Sequence, residues 1–372
     1  MKTARPARVL TIVMLALTLP GVVHAQTWTQ DGPPGRYYTS AIYDLATDQM
    51  VIFGGQQGTA VPLNDVWSVP GIVAAGQTVT TIPYHWVQLF PTDTAPAARY
   101  GHGAVYEGAS NRMIVFGGGT SSTACLNDTW VLDDANSSLG TPTWIQLAPS
   151  GSLPSPRLNF NSAFDPSTNS LIIFGGSNCA SGYFSDVWVL SGANGESGTP
   201  TWTQLSPIGL APSVRENSSA IYDSSNNVLT VFGGDAGGSG LGDVWTLSNA
   251  NGHGGTPTWT QLSPTGTAPS ARTGQSAVYD SADNRMIVFG GNTSLTGIRP
   301  LNDTWILTFA NGLGGTPAWV SEKVTGSAPQ RCFHTAFYSA ADNDMIVFGG
   351  LSQIAPSPWD DRVFILTVAD GL

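Results

Sequence analysis

The sequence predicts an all-β protein built from six blades of four antiparallel strands, closed into a propeller. Three observations predict it. The motif Phe-Gly-Gly recurs six times, starting at Phe53, Phe116, Phe174, Phe232, Phe289 and Phe348. An arginine stands 17 residues before each one, at Arg36, Arg99, Arg157, Arg215, Arg272 and Arg331, so nothing is inserted or deleted in that stretch of any copy. Two tryptophan series share the period and use 11 of the 12 Trp. Such a repeat marks an architecture whose units bury their apolar faces only against one another. With 44 Gly, 25 Pro and only 10% charged residues, the composition fits short strands and tight turns and excludes disordered tails and helical bundles.

In chain order, residues 1–25 read as a signal peptide. Lys2, Arg5 and Arg8 precede the apolar run Val9 to Leu19, and Val23-His24-Ala25 offers a cleavage site after Ala25, which points to a secreted or periplasmic protein. No Cys follows that run to take a lipid anchor, and no other segment approaches the roughly 20 apolar residues of a membrane span, so no membrane insertion is expected. Residues 26–372 then form the propeller. The first strand of each copy carries an aromatic seven residues after the Arg, at Tyr43, Tyr106, Phe164, Tyr222, Tyr279 and Tyr338. The second, as in Met113-Ile114-Val115-Phe116, is an unbroken apolar run and reads as a buried strand. The third carries Asp-x-Trp at Trp67, Trp130, Trp188, Trp245 and Trp305, with Phe364 expected in that slot of the sixth copy. The fourth carries Trp28, Trp86, Trp144, Trp202, Trp259 and Trp319. This last series begins before the first Gly-Gly and has no member after the sixth. The N-terminal strand around Trp28 is therefore expected to complete the last blade, which removes a free sheet edge.

Gly-Gly after an apolar strand, Arg and a small-residue strand before it, and spaced Tyr and Trp after it resemble kelch repeats across residues 26–372. The stretch Gly254-Gly255-Thr256-Pro257-Thr258-Trp259-Thr260-Gln261-Leu262 is similar to secreted bacterial kelch proteins. The resemblance implies a galactose oxidase-like propeller fold. Kelch propellers include substrate adaptors, carbohydrate-oxidising copper enzymes and sialic acid mutarotases, so the fold does not choose among functions.

With the first strand innermost, as in kelch propellers, the six arginines ring one mouth of the central channel and offer fork donors to carboxylates or sugar hydroxyls. A scaffolding role stands beside this one, because Asp65, Asp128, Asp186, Asp243, Asp303 and Asp361 recur at the same end and suit bidentate pairing. Recognition is expected of residues that differ between copies. Just after the arginines these are Tyr37, Tyr38, Tyr100, His102, Asn159, Phe160, Glu216, Asn217, Gln275, Phe333 and His334, an aromatic and amide surface suited to sugars or peptide segments.

The formal net charge of −11 removes the electrostatic route to nucleic acid. His85, His102, His253 and His334 lie in different repeats, so no metal site and no cofactor are expected. Cys125 and Cys179 fall in the same loop of adjacent copies and are expected to form a disulfide, leaving Cys332 as a buried thiol. These residues together predict a secreted, non-enzymatic scaffold whose arginine-ring face binds an extracellular protein or glycan. The alternative is a carbohydrate-active enzyme of the epimerase or mutarotase type, with Glu216 as general base.

Overall fold

Small residues crowd the first strand of every blade. Ala41, Ala104, Ser162, Ala220, Ala277 and Ala336 occupy one register in Ser40–Asp44, Gly103–Glu107, Asn161–Asp165, Ser219–Asp223, Ser276–Asp280 and Thr335–Ser339. These strands touch their counterparts in both neighbouring blades, and that of blade six touches that of blade one. The computed structural model describes residues 32–372 except 59–60, 73–84, 197, 239, 294–296, 325–327, 354–360, 368, 370 and 372. Of its two compact units, Met1–Gln30 and Asp31–Leu372, the described residues belong to the second.

The second strands are apolar on both faces and almost wholly buried: Gln49–Phe53, Arg112–Ser121, Ser170–Phe174, Val228–Phe232, Arg285–Phe289 and Asp344–Phe348. Each pairs antiparallel with a third strand, respectively Val66–Pro70, Ala124–Asp133, Val187–Ser191, Val244–Ser248, Thr304–Thr308 and Val363–Thr367. Fourth strands follow at Val87–Leu89, Thr143–Leu147, Thr201–Gln204, Thr258–Leu262 and Ala318–Glu322. Phe364 lies opposite Val347 as Trp130 lies opposite Val115, so it fills the slot the repeat assigns it.

Gly-Gly is where blades meet. Both glycines of each described pair adopt positive φ, for example 59° and 96° at Gly54 and Gly55. A Cβ on Gly54 would come within 2.8 Å of the Arg99 carbonyl oxygen of the next blade, so only glycine admits that approach. The second glycine donates its amide to the following blade's arginine carbonyl at every junction, from Gly55 to Arg99 (2.9 Å) round to Gly350 and Arg36 (2.9 Å). The molecule is a six-bladed β-propeller.

The core lies between blades. Fourth-strand tryptophans pack on the Gly-Gly phenylalanine of the preceding blade, with centroids 4.9 Å apart for Phe53–Trp144 and Phe116–Trp202, 5.1 Å for Phe174–Trp259 and Phe348–Trp86, and 5.0 Å for Phe232–Trp319. Beside the remaining phenylalanine, Phe289, a cavity of about 300 Å³ is lined by Met345, Val347, Phe364 and Leu366. The sixth sheet has three strands among the described residues, and the segment around Trp28 lies outside them.

Candidate binding site at the channel mouth

The arginines are the first side chains to place. All six are fully buried, at 0% exposure. In blade three, Arg157 gives its Nε hydrogen to the Ser155 carbonyl (3.1 Å) and one Nη1 hydrogen to the Gly175 carbonyl (3.0 Å). Its fork then closes on both oxygens of Asp186 (2.7 and 2.9 Å). Asp186 also accepts from the Trp188 indole N–H (2.7 Å). Arg36, Arg99, Arg215 and Arg272 repeat this network with Asp65, Asp128, Asp243 and Asp303. Burial alone would raise these carboxyls, but the guanidinium hydrogen bonds and charge, with the indole N–H, hold them below the usual carboxylate range. In blade six, which has Phe364 in place of Trp, Arg331 lies over that ring at 5.0 Å. Burial, with the nearby Arg362 charge, lowers the Arg331 pKa to about 10.

The expectation that Arg36, Arg99, Arg157, Arg215, Arg272 and Arg331 bind a ligand is therefore corrected. No guanidinium surface faces the channel, because the fork is spent on carbonyls, carboxylates or a ring below it.

Two residues after each arginine the chain turns into the channel in the left-handed region, at Tyr38 (φ 53°), Gly101 (61°), Asn159 (57°), Asn217 (52°), Gly274 (64°) and Phe333 (56°). Each amide here donates to the carbonyl of the same position in the preceding blade. The distances are 3.1 Å from Tyr38 to Phe333, 2.9 Å from Gly101 to Tyr38, 2.7 Å from Asn159 to Gly101, 2.9 Å from Asn217 to Asn159, 2.9 Å from Gly274 to Asn217 and 2.7 Å from Phe333 to Gly274. Six hydrogen bonds thus close a ring around the mouth. Glycine and asparagine tolerate this conformation, whereas an aromatic residue there is strained by about 1 kcal/mol or more. The two strained aromatics, Tyr38 and Phe333, are neighbours with ring centroids 4.7 Å apart.

The expected recognition residues separate into two layers. Tyr38, Asn159, Asn217 and Phe333 form the rim, with Tyr37 and Tyr100 packed beside Tyr38 at 5.1 and 6.1 Å. His102, Phe160, Gln275 and His334 lie one residue deeper and join blades. His102 Nε2 meets Ser40 Oγ at 2.6 Å, His334 Nε2 meets Ser276 Oγ at 2.7 Å, and Gln275 donates to Ser219 Oγ (3.2 Å) and the Phe232 carbonyl (3.0 Å). Phe160 sets its edge on Phe116 at 5.5 Å. Rim and floor enclose a cavity of about 140 Å³ on the channel axis. Glu216 stands behind Asn159 and accepts from Asn159 Nδ2 (3.0 Å) and Ser177 Oγ (2.6 Å).

Sequence reasoning missed Gly101 and Gly274, whose lack of a side chain makes room for Asn159 and the Phe333 ring, and Ser177, which holds Glu216. The glycines were findable: Gly and Asn at one register signal positive φ. Among the described residues no group of three or more His, Cys, Asp or Glu is placed to hold a metal ion.

A disulfide joins Cys125 to Cys179, with Cα atoms 5.5 Å apart, and Cys332 is free and buried. It ties mouth loops of blades two and three across 54 residues. Replacing both cysteines with Ser is expected to lower unfolding free energy by about 2–4 kcal/mol, mainly by freeing the unfolded chain. Urea midpoints with and without reductant check this, and a parent insensitive to reductant would contradict it.

Comparison with known proteins agrees with this geometry. The family model described as the KLHDC2/KLHL20/DRC7 Kelch-repeats domain matches residues 21–133, 77–251 and 253–370. Adagio-like protein 3 of Oryza sativa subsp. japonica is 25% identical over 311 residues, covering 82% of this chain and 44% of that protein. Host cell factor 1 of Homo sapiens is 28% identical over 280 residues, covering 71% of this chain and 12% of that protein. The chain thus spans less than half the length of these relatives. A solved structure titled "Structure of YjhT" superposes with a TM-score of 0.63 at 14% identity, over 91% of this chain and 97% of that one, and supports the fold alone. With the family model covering most of the sequence and the Arg, Gly-Gly and Trp network recurring around the ring, the chain belongs to the kelch-repeat propeller family.

Proposed function

We propose that this kelch propeller is an exported protein-interaction scaffold that engages an extracellular protein or glycan through the channel mouth. One observation carries the reading: the buried arginine network is nearly constant, whereas the side chains it presents at the rim differ from blade to blade. Scaffold needs repeat, and recognition need not. The relatives, themselves kelch proteins, support the scaffold class. The leader-like residues 1–25 support export.

The test uses binders selected against the full mature chain from a glycan array and a displayed-peptide library. Tyr100→Ala combined with Asn217→Ala is expected to weaken retention by about tenfold or more, while Leu139→Ala, in an exposed loop at the opposite end of the blades, leaves it unchanged. The reverse pattern would move recognition away from the mouth. A mature N-terminus at Gln26 in the culture medium or periplasm is the expected result for export, and retention in the cytoplasm opposes it. Turnover of free sugars that disappears in Glu216→Gln while binding persists would establish the enzyme reading instead.

A further inference from the structure

We propose that the mouth takes a cationic side chain, an arginine or lysine of a partner protein, seated against the Tyr38 and Phe333 rings and drawn there by the Glu216 carboxylate, which stands behind Asn159. This deepens the scaffold reading and rests on it.

Burial of the arginines sets the polarity of the site. The sequence places six positive charges around the mouth, yet each guanidinium is fully buried. Among the residues one to four places after those arginines, the one remaining charged side chain is Glu216. It is half-buried, accepts from two neutral donors, and forms no salt bridge among the described residues. Glu216 backs the Asn159 side chain that lines the cavity, so its charge repels an arriving anion and attracts a cation.

The opposite wall has matching chemistry. Tyr37, Tyr100 and Phe333 surround Tyr38 at centroid distances of 5.1, 6.1 and 4.7 Å, and all four residues are partly exposed. Aromatic faces attract ammonium and guanidinium groups, and Arg stacks on them as well. Burial, reinforced by the Glu216 charge, holds the Tyr38 and Tyr100 phenols above their ordinary range, so both rings stay neutral. Asn159 and Asn217 border the same cavity; the Asn159 carbonyl oxygen is buried, which leaves Asn217 to offer its amide carbonyl to the remaining N–H groups. At about 140 Å³ the cavity suits one side-chain tip, since an apolar cavity of about 150 Å³ holds a single benzene. The two aromatics held at positive φ, where other blades use Gly or Asn, are strained residues set at this one position.

The test is calorimetric titration of the full mature chain with Ac-Gly-Ser-Arg-Ser-Gly-amide and its Lys, citrulline and Glu counterparts. The Arg and Lys peptides are expected to bind, with the neutral citrulline and anionic Glu peptides weaker by about tenfold or more. Glu216→Gln and Tyr100→Leu, both at partly exposed positions, should each weaken the Arg peptide by about five- to tenfold with an unchanged melting temperature. Equal binding of the Arg and citrulline peptides, no binding of the Arg peptide up to about 10 mM, or indifference to Glu216→Gln overturns the assignment. If that happens while selected binders still depend on Tyr100 and Asn217, the cation assignment falls and the scaffold reading stands. If the binders are indifferent too, both fall.

Discussion

Arg157→Ala is expected to lower the unfolding free energy by about 3–5 kcal/mol, the range for breaking a buried ion pair from one side. The substitution strands three acceptor groups at once: the Ser155 carbonyl, the Gly175 carbonyl and the Asp186 carboxylate with both its oxygens. It also removes the stacking of the guanidinium on Phe184, now 4.2 Å from the ring centroid. Arg157→Lys should recover little, because an ammonium cannot fork across a carboxylate while bonding two carbonyls. Asn217→Ala at the rim should cost only about 1–2 kcal/mol, most of it the strain of alanine in the left-handed region at φ 52°. Urea unfolding of the three variants separates scaffold from recognition. Small and equal losses for Arg157→Ala and Asn217→Ala would return the arginine to the recognition role.

Stability should also fall as the solution is acidified from pH 6.5, well before carboxylates titrate. Burial, aided by the Arg99 and Arg331 charges, depresses His102 and His334 to about 3. In the unfolded chain each takes up a proton near pH 6.5, so below that value the unfolded state binds more protons than the folded one. Each histidine then removes up to about 1.4 kcal/mol per pH unit until its folded pKa is reached, or about 3 kcal/mol for the pair between pH 6.5 and 5. The aspartates paired with arginine have depressed folded pKa values. Their contribution is complete above about pH 4 and is lost only as pH falls through the lowered values. His102→Gln with His334→Gln removes the early loss without opening a hole, since Gln275 holds the same place in blade five. Melting temperatures from pH 7 to 4 check this: a parent curve flat between 6.5 and 5 would contradict it.

Blade number, strand order and the Phe364 slot were legible in the sequence, because Arg and Phe-Gly-Gly keep one spacing in every copy. The role of the arginines was not legible. Arg157 and Asp186 are 29 residues apart, and spacing shows that they can meet but not that the pair is sealed from water. Recognition residues were findable by their variation at a fixed register, but not their depth. The left-handed residue at Tyr38, Asn159 or Phe333 breaks the inward–outward alternation of a strand, so neighbours that pattern reasoning assigned to one surface lie in two layers. The same turn separates His102, a joint between blades, from Tyr100, part of the exposed wall.

The hoop of amides linking Tyr38 to Phe333 uses up its own backbone donors, and each of its carbonyls already accepts one hydrogen bond. A visiting molecule therefore finds no free main-chain N–H in the hoop, and the projecting side groups must supply the donors that read it. Folding information and recognition information are written in different atoms. The six lining positions can carry different side groups, within the limits that their left-handed backbone and the close packing at Gly101 and Gly274 impose, while the frame stays intact.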